Sequence, residues 1–321
     1  MAEHIRLIRS SKAAATLALA IALIVLPILP SAFGANPFLR DPDRDSIVLN
    51  VAHAGASSIA PQNTLAGGRA AFDAGADVWG VDVRCTADGV FVLMHDATLD
   101  RTTDIEDVFP DRAPWRVDAF TFDEIRELDA GSWFLDEDPF GEIAAGEIDD
   151  AILSSFVGEP VPTLREALEL VVARGGLIDL EIKEPEPDGY ESIARGLVSL
   201  IAETCAGERV LVSSFDHGFL RVLRETAPDI AIGALNLFPP HGGAGELDAL
   251  GADAYLPSIV GWTPELIAEL LELGIGVIPW TINDPGTLHW FASMTGVLGI
   301  YTDYPRRLAA ALADLRDGSL P

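Results

Sequence analysis

The chain has 321 residues, a hydrophobic fraction of 49% and a formal net charge of −29. That is ample apolar material for one large core and far too little basic surface for nucleic acid, whose phosphates need a basic face. So acidic a surface speaks to solubility and to a screening, high-salt habitat rather than to fold.

Arg6, Arg9 and Lys12 precede an apolar run from Ala13 to Leu29, followed by Pro30 and Ser31. This order predicts a secretory signal peptide within residues 1–35, with Ala32-Phe33-Gly34 as the cleavage site. The run also approaches the ~20 residues that a spanning helix needs, so an uncleaved membrane anchor is the alternative. Either way the protein is expected to work outside the cytoplasmic membrane, secreted or in membrane contact through this segment.

Beyond it, apolar β-branched runs alternate with amphipathic helical patterns, predicting βα units around a parallel sheet over residues 46–312. The strand candidates are SIVLNVAH, VWGVDV, VFVLMH, GLIDLEIK, RVLVSSF, IAIGALN, DAYLPS, GVIPWTIN and GIYTD. Helices are predicted from Leu65 to Ala74, Leu164 to Ala173, Tyr190 to Thr204, Gly218 to Thr226 and Pro264 to Leu273, with Thr163 and Thr263 as N-caps. Nine strands are one more than a (β/α)8 barrel takes. The second and third are joined only by RCTADG, too short for a parallel crossover. They are predicted as a hairpin turning at Asp88-Gly89, which brings Asp82 and His95 to the same end. Residues 99–160 break the rhythm as an inserted lobe after the third strand. Its Trp115, Trp133, Phe134 and Phe140 form either a satellite core or a wall of the substrate pocket. Cys85 and Cys205 lack metal-type spacing and are expected as separate buried thiols rather than a disulfide.

Polar residues gather at the predicted strand ends: His53, Asp82, His95 with Asp96, Glu181 and Lys183, Ser213 and Ser214, and Trp280 with Thr281. In a parallel barrel these ends share the face that carries active sites. Alternation points Glu181 and Lys183 the same way, and Lys183 stands out because Lys12 is the only other lysine. A lone strand-end histidine is more often structural, and a carboxylate beside a lysine is usually an ion pair. Two histidines facing two carboxylates make an acid–base and metal constellation. Oxygen ligands suit a hard cation, Mg2+ or Ca2+. Such an ion would clamp a phosphoryl oxygen while one histidine takes a proton and the other gives one. Lys183 would offset the remaining phosphate charge. His217, just after SSFD, is a lesser candidate for substrate contact.

His53-Ala54-Gly55 with Pro61-Gln62-Asn63-Thr64, then AGADVWGVDVRCTADGVFVLMHDATLDRTTD, LDAGSWF, VPTLREALEL, LEIK, VSSFD, PWTIND and GIYTDYP follow one another between Ile47 and Leu308. In that order they resemble the glycerophosphodiester phosphodiesterase family. The resemblance implies a TIM-type barrel of the phospholipase-C-like phosphodiesterase type, and hydrolysis of a small glycerophosphodiester to glycerol 3-phosphate and an alcohol. It implies His53 and His95 as the acid–base pair, Asp82 and Glu181 as ligands of a divalent cation, and Lys183 beside the phosphate. Gln62 and Trp280 are further candidate substrate contacts.

The departures from the family pattern fall on the site. The arginine expected after the first histidine is Ala54, the glutamate of Pro-Glu-Asn-Thr is Gln62, and the Glu-x-Asp metal pair reads Gly80-Val81-Asp82. Losing anionic ligands weakens a divalent site. Three outcomes stay open: water, substrate, Asp77 or Asp96 supplies the missing ligand; a changed substrate needs no arginine; or the barrel binds a ligand without turning it over, as a binding or scaffold protein. Phospholipase D-like action on lipid head groups is a further alternative.

Overall fold

The computed structural model describes residues 36–41 and 48–317, so the predicted signal or anchor segment lies outside the described residues. The strands are β1 (Leu49–His53), β2 (Val78–Cys85), β3 (Phe91–Leu93), β4 (Leu177–Ile182), β5 (Val210–Ser214), β6 (Ala231–Asn236), β7 (Ala254–Pro257), β8 (Gly276–Val277) and β9 (Gly299–Thr302). Eight of them run in the order β8-β7-β6-β5-β4-β2-β1-β9 with parallel pairing throughout. A bridge from Val277 to Val297, with Leu298 N–H donating to Val277 O, brings the two ends together into a nearly closed barrel. The surplus strand β3 pairs antiparallel with β2, Val83 opposite Leu93, which is the hairpin expected from RCTADG. Strand β8 is shorter than the run GVIPWTIN because Pro279 has no N–H to give a ladder. The chain keeps its place there through Ile278 N–H to Tyr255 O and Trp280 N–H to Pro257 O.

Strands covered on both faces read as near-continuous apolar runs, and each face here has its own core. Inside the ring, Leu49, Val51, Val78, Leu177, Leu211 and Leu298 pack together, joined by Phe38 from the 36–41 segment. Outside it, Trp79, Leu180, Val212 and Ile232 meet the apolar stripes of the surrounding helices through Leu168, Leu197 and Leu220. Fully burying one such leucine stabilises the fold by roughly 1.5–3 kcal/mol. The predicted helices stand at Leu65–Asp73, Leu164–Arg174, Tyr190–Glu203, His217–Thr226 and Pro264–Glu272. Thr163 caps its helix in a capping box with Glu166, and Thr263 accepts from Leu266 N–H.

The segment between β3 and β4 forms short helical turns with two satellite cores. One holds Ile105, Val117, Phe120 and Ile125 with Trp115 against it; the other holds Phe134, Ile148 and Phe156 with Trp133. Three of the four aromatics in question therefore serve packing. Phe140 instead stacks edge-on against Tyr304 near the barrel mouth. The cysteines are both free thiols, but the expected burial fails: Cys85 is half-buried and Cys205 exposed. Cys205 lies just past the Tyr190–Glu203 helix in a left-handed turn (φ 57°), where its side chain leaves the packed stripe. Among the described residues, no helix is long and apolar enough to cross a membrane.

Candidate active site

Barrel register decides which side chains meet. Along β2 and β4, Asp82 sits beside Glu181, and two residues deeper Gly80 sits beside Asp179. The β2–β3 hairpin continues as Met94 N–H to Asp82 O, which delivers His95 to the same rim. His53 ends β1, opposite Gly80. A cavity of about 220 Å³ opens at this face; its wall includes His53, Asp82, His95, Glu181, Lys183 and Trp280. Gln62 lines an adjoining recess with His53, His95, Arg101 and Phe140.

Both histidines are steered by a carboxylate. His53 Nδ1 lies 2.8 Å from Asp303 Oδ1, and His95 Nδ1 lies 2.6 Å from Asp96 Oδ1. With Nδ1 engaged, Nε2 is the ring atom left for chemistry in each. Asp303 is itself fixed by Asn283, whose Nδ2 donates to its Oδ2 at 2.7 Å. Asn283 Oδ1 in turn accepts from Asp303 N–H at 2.9 Å and from the Thr302 hydroxyl at 3.2 Å. Burial works to lower the His53 pKa, but the hydrogen bond and charge of Asp303, then the charge of Asp82, raise it above the usual imidazole value. On the other side, Arg101 pairs with Asp96 Oδ2. Burial raises the Asp96 carboxyl, yet hydrogen bonds from Arg101 and His95 bring it below the ordinary range.

Between the histidines stands a triad of charges. Lys183 Nζ lies 2.9 Å from Asp82 Oδ1 and 2.7 Å from Glu181 Oε1. The Asn63 side chain brackets Asp82, donating to its Oδ2 at 2.7 Å and accepting its backbone N–H at 3.0 Å. Burial pushes the Asp82 carboxyl up, but Lys183 foremost, then His95, Asn63 and His53, pull it down to about 2. Glu181 is raised by burial and by the neighbouring Asp82 charge. Burial pushes Lys183 down, and the two carboxylates more than reverse it, so the ammonium stays charged. One layer deeper, burial lifts Asp179 to about 7 while Tyr301 hydrogen-bonds its Oδ2.

Of the residues singled out at the strand ends, His53, Asp82, His95, Glu181, Lys183, Ser213 and Trp280 line the cavity, Asp96 and Ser214 line the neighbouring groove, and Thr281 lines neither. Trp280 forms an apolar wall, its Nε1 donating to Leu256 O at 2.8 Å and its ring edge-on to Phe215. His217 sits on a neighbouring open groove, 3.2 Å from Leu235 O. The sequence reading passed over Asp303, Asn283, Asn63 and Tyr301. Asp303 is the findable one, because it stands at the C-terminal end of β9 as the other site residues stand at or near the C-terminal ends of theirs.

The implied divalent ion meets a poor donor set. Among the described residues, the carboxylates that line the cavity are Asp82 and Glu181, and Lys183 already bridges them. Neither proposed substitute for the missing ligand is free to serve. Asp77 accepts Asn50 N–H before β2 begins, at the far end of the barrel, and Asp96 is held by His95 and Arg101. Among the described residues, no group of three or more His, Cys, Asp or Glu side chains is placed to hold a metal ion. The residues present do not fit the ion.

Paired histidines around a charged cavity at the C-terminal face of a parallel barrel place the candidate active site where (β/α)8 enzymes carry theirs. The glycerophosphoryl diester phosphodiesterase family model matches residues 53–307. The chain belongs to this family of phosphoric diester hydrolases. It is 35% identical over 263 residues to a glycerophosphodiester phosphodiesterase of Caldanaerobacter subterraneus subsp. tengcongensis, covering 81% of this chain and 96% of that one. Its fold matches a glycerophosphodiester phosphodiesterase of Agrobacterium tumefaciens with a TM-score of 0.65 at 26% identity, covering 82% of this chain and all of that one. It also matches an Oleispira antarctica phosphodiesterase solved with its product sn-glycerol-3-phosphate, with a TM-score of 0.68 at 25% identity over 82% of this chain and 96% of that one.

Proposed function

We propose that the protein hydrolyses small glycerophosphodiesters to glycerol 3-phosphate and an alcohol, using His53 as proton donor and His95 as proton acceptor. The observation that carries this reading is that both imidazoles open on one cavity with Nδ1 tied to a carboxylate, leaving each Nε2 for the substrate. Asp303 favours the protonated form of His53, which suits the donor. In the reaction His95 Nε2 takes a proton from water while the water oxygen bonds to phosphorus. The bond from phosphorus to the alcohol oxygen breaks, and His53 Nε2–H protonates that oxygen. Lys183 offsets charge on the non-bridging oxygens. Gln62 in the recess and Trp280 on the cavity wall are the contacts proposed for the substrate flanks, and Arg101 lines the same recess as Ala54. A divalent ion supplies Lewis-acid stabilisation where a site holds one; here Lys183 occupies the space between the two carboxylates.

The test is direct. Glycerol 3-phosphate release should follow enzyme concentration, and His53→Gln or His95→Gln should each lower it by about 10²–10⁴-fold. Undiminished release by either variant overturns the assignment. A second reading, action on lipid head groups, is favoured by the apolar residues around the mouth. Phe215, Leu237, Phe238, Ile259 and Val260 follow β5, β6 and β7 and are all exposed. It requires release of head-group alcohol from lipid vesicles, and a lack of such release removes it. Work outside the cytoplasmic membrane is part of the proposal, supported by the charge and apolar order of residues 1–35.

A further inference from the structure

We infer that this site has exchanged a bound divalent cation for its own ammonium: Lys183 is the resident cation between Asp82 and Glu181, and Tyr301 closes the position from which a third carboxylate would reach an ion. The inference deepens the hydrolytic reading and rests on it only for the role of Lys183 towards a phosphate.

The argument begins with Gly80. A Cβ added there would lie 2.5 Å from Tyr301 Cε1 and 3.0 Å from its hydroxyl oxygen. Contact at 2.5 Å with a buried ring is far inside van der Waals range, so no side chain fits at 80 while Tyr301 is present. The ring has no easy retreat. Tyr301 sits on β9 paired to Val51, is buried, and donates its hydroxyl hydrogen to Asp179 Oδ2. Gly80 and Tyr301 are therefore a matched pair, one yielding the volume that the other takes. The same phenol engages Asp179, the carboxylate that lies beside Gly80 in the ladder. Of the two residues beside Gly80 in the ladder, His53 carries no carboxylate and Asp179 has its Oδ2 held by the phenol.

Charge supports the same conclusion. Lys183 Nζ is within 2.9 Å of Asp82 Oδ1 and 2.7 Å of Glu181 Oε1. A dication in that place would have to displace an ammonium held by both of its would-be ligands. Affinity for hard cations follows ligand charge and number, and here two of the implied carboxylates are replaced by Gly80 and the neutral Gln62. The protein uses arginine for nearly all its cationic side chains, with Lys12 and Lys183 as the only lysines. A compact point charge suits this slot, where a planar guanidinium does not.

Calorimetric titration with Ca2+, Mg2+ and Mn2+ tests this without turnover, comparing wild type, Asp82→Asn and Gly80→Glu/Tyr301→Ala. Wild type and Asp82→Asn should give the same weak surface binding, and the double variant should gain one saturable site. A wild-type site with Kd below about 1 mM that Asp82→Asn removes overturns the inference. So does a folded double variant that gains no site, which would remove Tyr301 as the closing group. If the double variant does not fold, the wild-type comparison with Asp82→Asn decides alone. In parallel, glycerol 3-phosphate release should change by less than about twofold in EDTA and fall by about a hundredfold in Lys183→Met. Release that EDTA abolishes and excess cation restores overturns the inference while leaving the hydrolytic reading intact. A protein inactive with and without cations contradicts the hydrolytic reading, and the titration still decides the ion.

Discussion

Replacing Asp303 by asparagine should disarm His53 in two ways that the local geometry makes explicit. Asn283 is locked, since its Oδ1 accepts from Asp303 N–H and the Thr302 hydroxyl and so its amide NH2 points at residue 303. An asparagine at 303 must turn its oxygen to that NH2, which aims its own NH2 at His53 Nδ1. The imidazole then has Nδ1 as acceptor and its proton fixed on Nε2 as a neutral ring, a feeble acid. Losing a hydrogen bond to a charged group is worth ~1.5–3 kcal/mol. At about 1.4 kcal/mol per decade that is roughly one to two decades in kcat/KM, and the wrong tautomer adds to it. The pH sign is also fixed. Asp303 raises the His53 pKa, so activity that needs protonated His53 falls as pH rises through that raised value. Without the Asp303 charge, burial dominates and the alkaline limb moves to lower pH. The assay is glycerol 3-phosphate release by wild type and Asp303→Asn across pH 5–9, with kcat/KM as the readout. An Asp303→Asn enzyme with the wild-type rate and an unmoved alkaline limb refutes the role given to His53.

Other consequences concern the scaffold. Asp253 is buried and accepts from Arg224 and from Ile232 N–H at 2.9 Å. Asp253→Ala strands both donors and should destabilise by about 3 kcal/mol in urea unfolding; a loss within error of zero would contradict it. Gly68→Ala brings a Cβ to 2.6 Å from the Trp79 ring and should lower Tm, by about 1–3 kcal/mol of overpacking. An unchanged Tm would show that Trp79 has room to move. Because the net charge is −29, added NaCl should raise Tm by screening self-repulsion. A Tm that is flat or falls with salt would show that repulsion does not limit this fold.

The barrel was legible because its grammar is local. Apolar β-branched runs, Thr163 and Thr263 caps and the short RCTADG link each specify their element within a few residues. Likewise, strand-end placement alone puts His53, Asp82, His95, Glu181 and Lys183 on one face, and all five line the cavity. What escaped was long-range. The His53–Asp303 contact spans 250 residues, and no periodicity marks the partner of a histidine. Gly80 read as a missing ligand, because nothing in VWGVDV tells that the phenol of Tyr301 takes its volume. Cys205 was misjudged because a residue just past a helix end turns out of the stripe that precedes it.

The central claim is that two carboxylate-steered histidines on this barrel cleave a phosphodiester. Its most direct test is stoichiometric product analysis with a glycerophosphodiester, for wild type, His53→Gln and His95→Gln side by side. The account predicts that the wild type releases glycerol 3-phosphate and alcohol in equal amounts, and that each variant falls by about 10²–10⁴-fold. No release by the folded wild-type protein, or full release by His95→Gln, would contradict it.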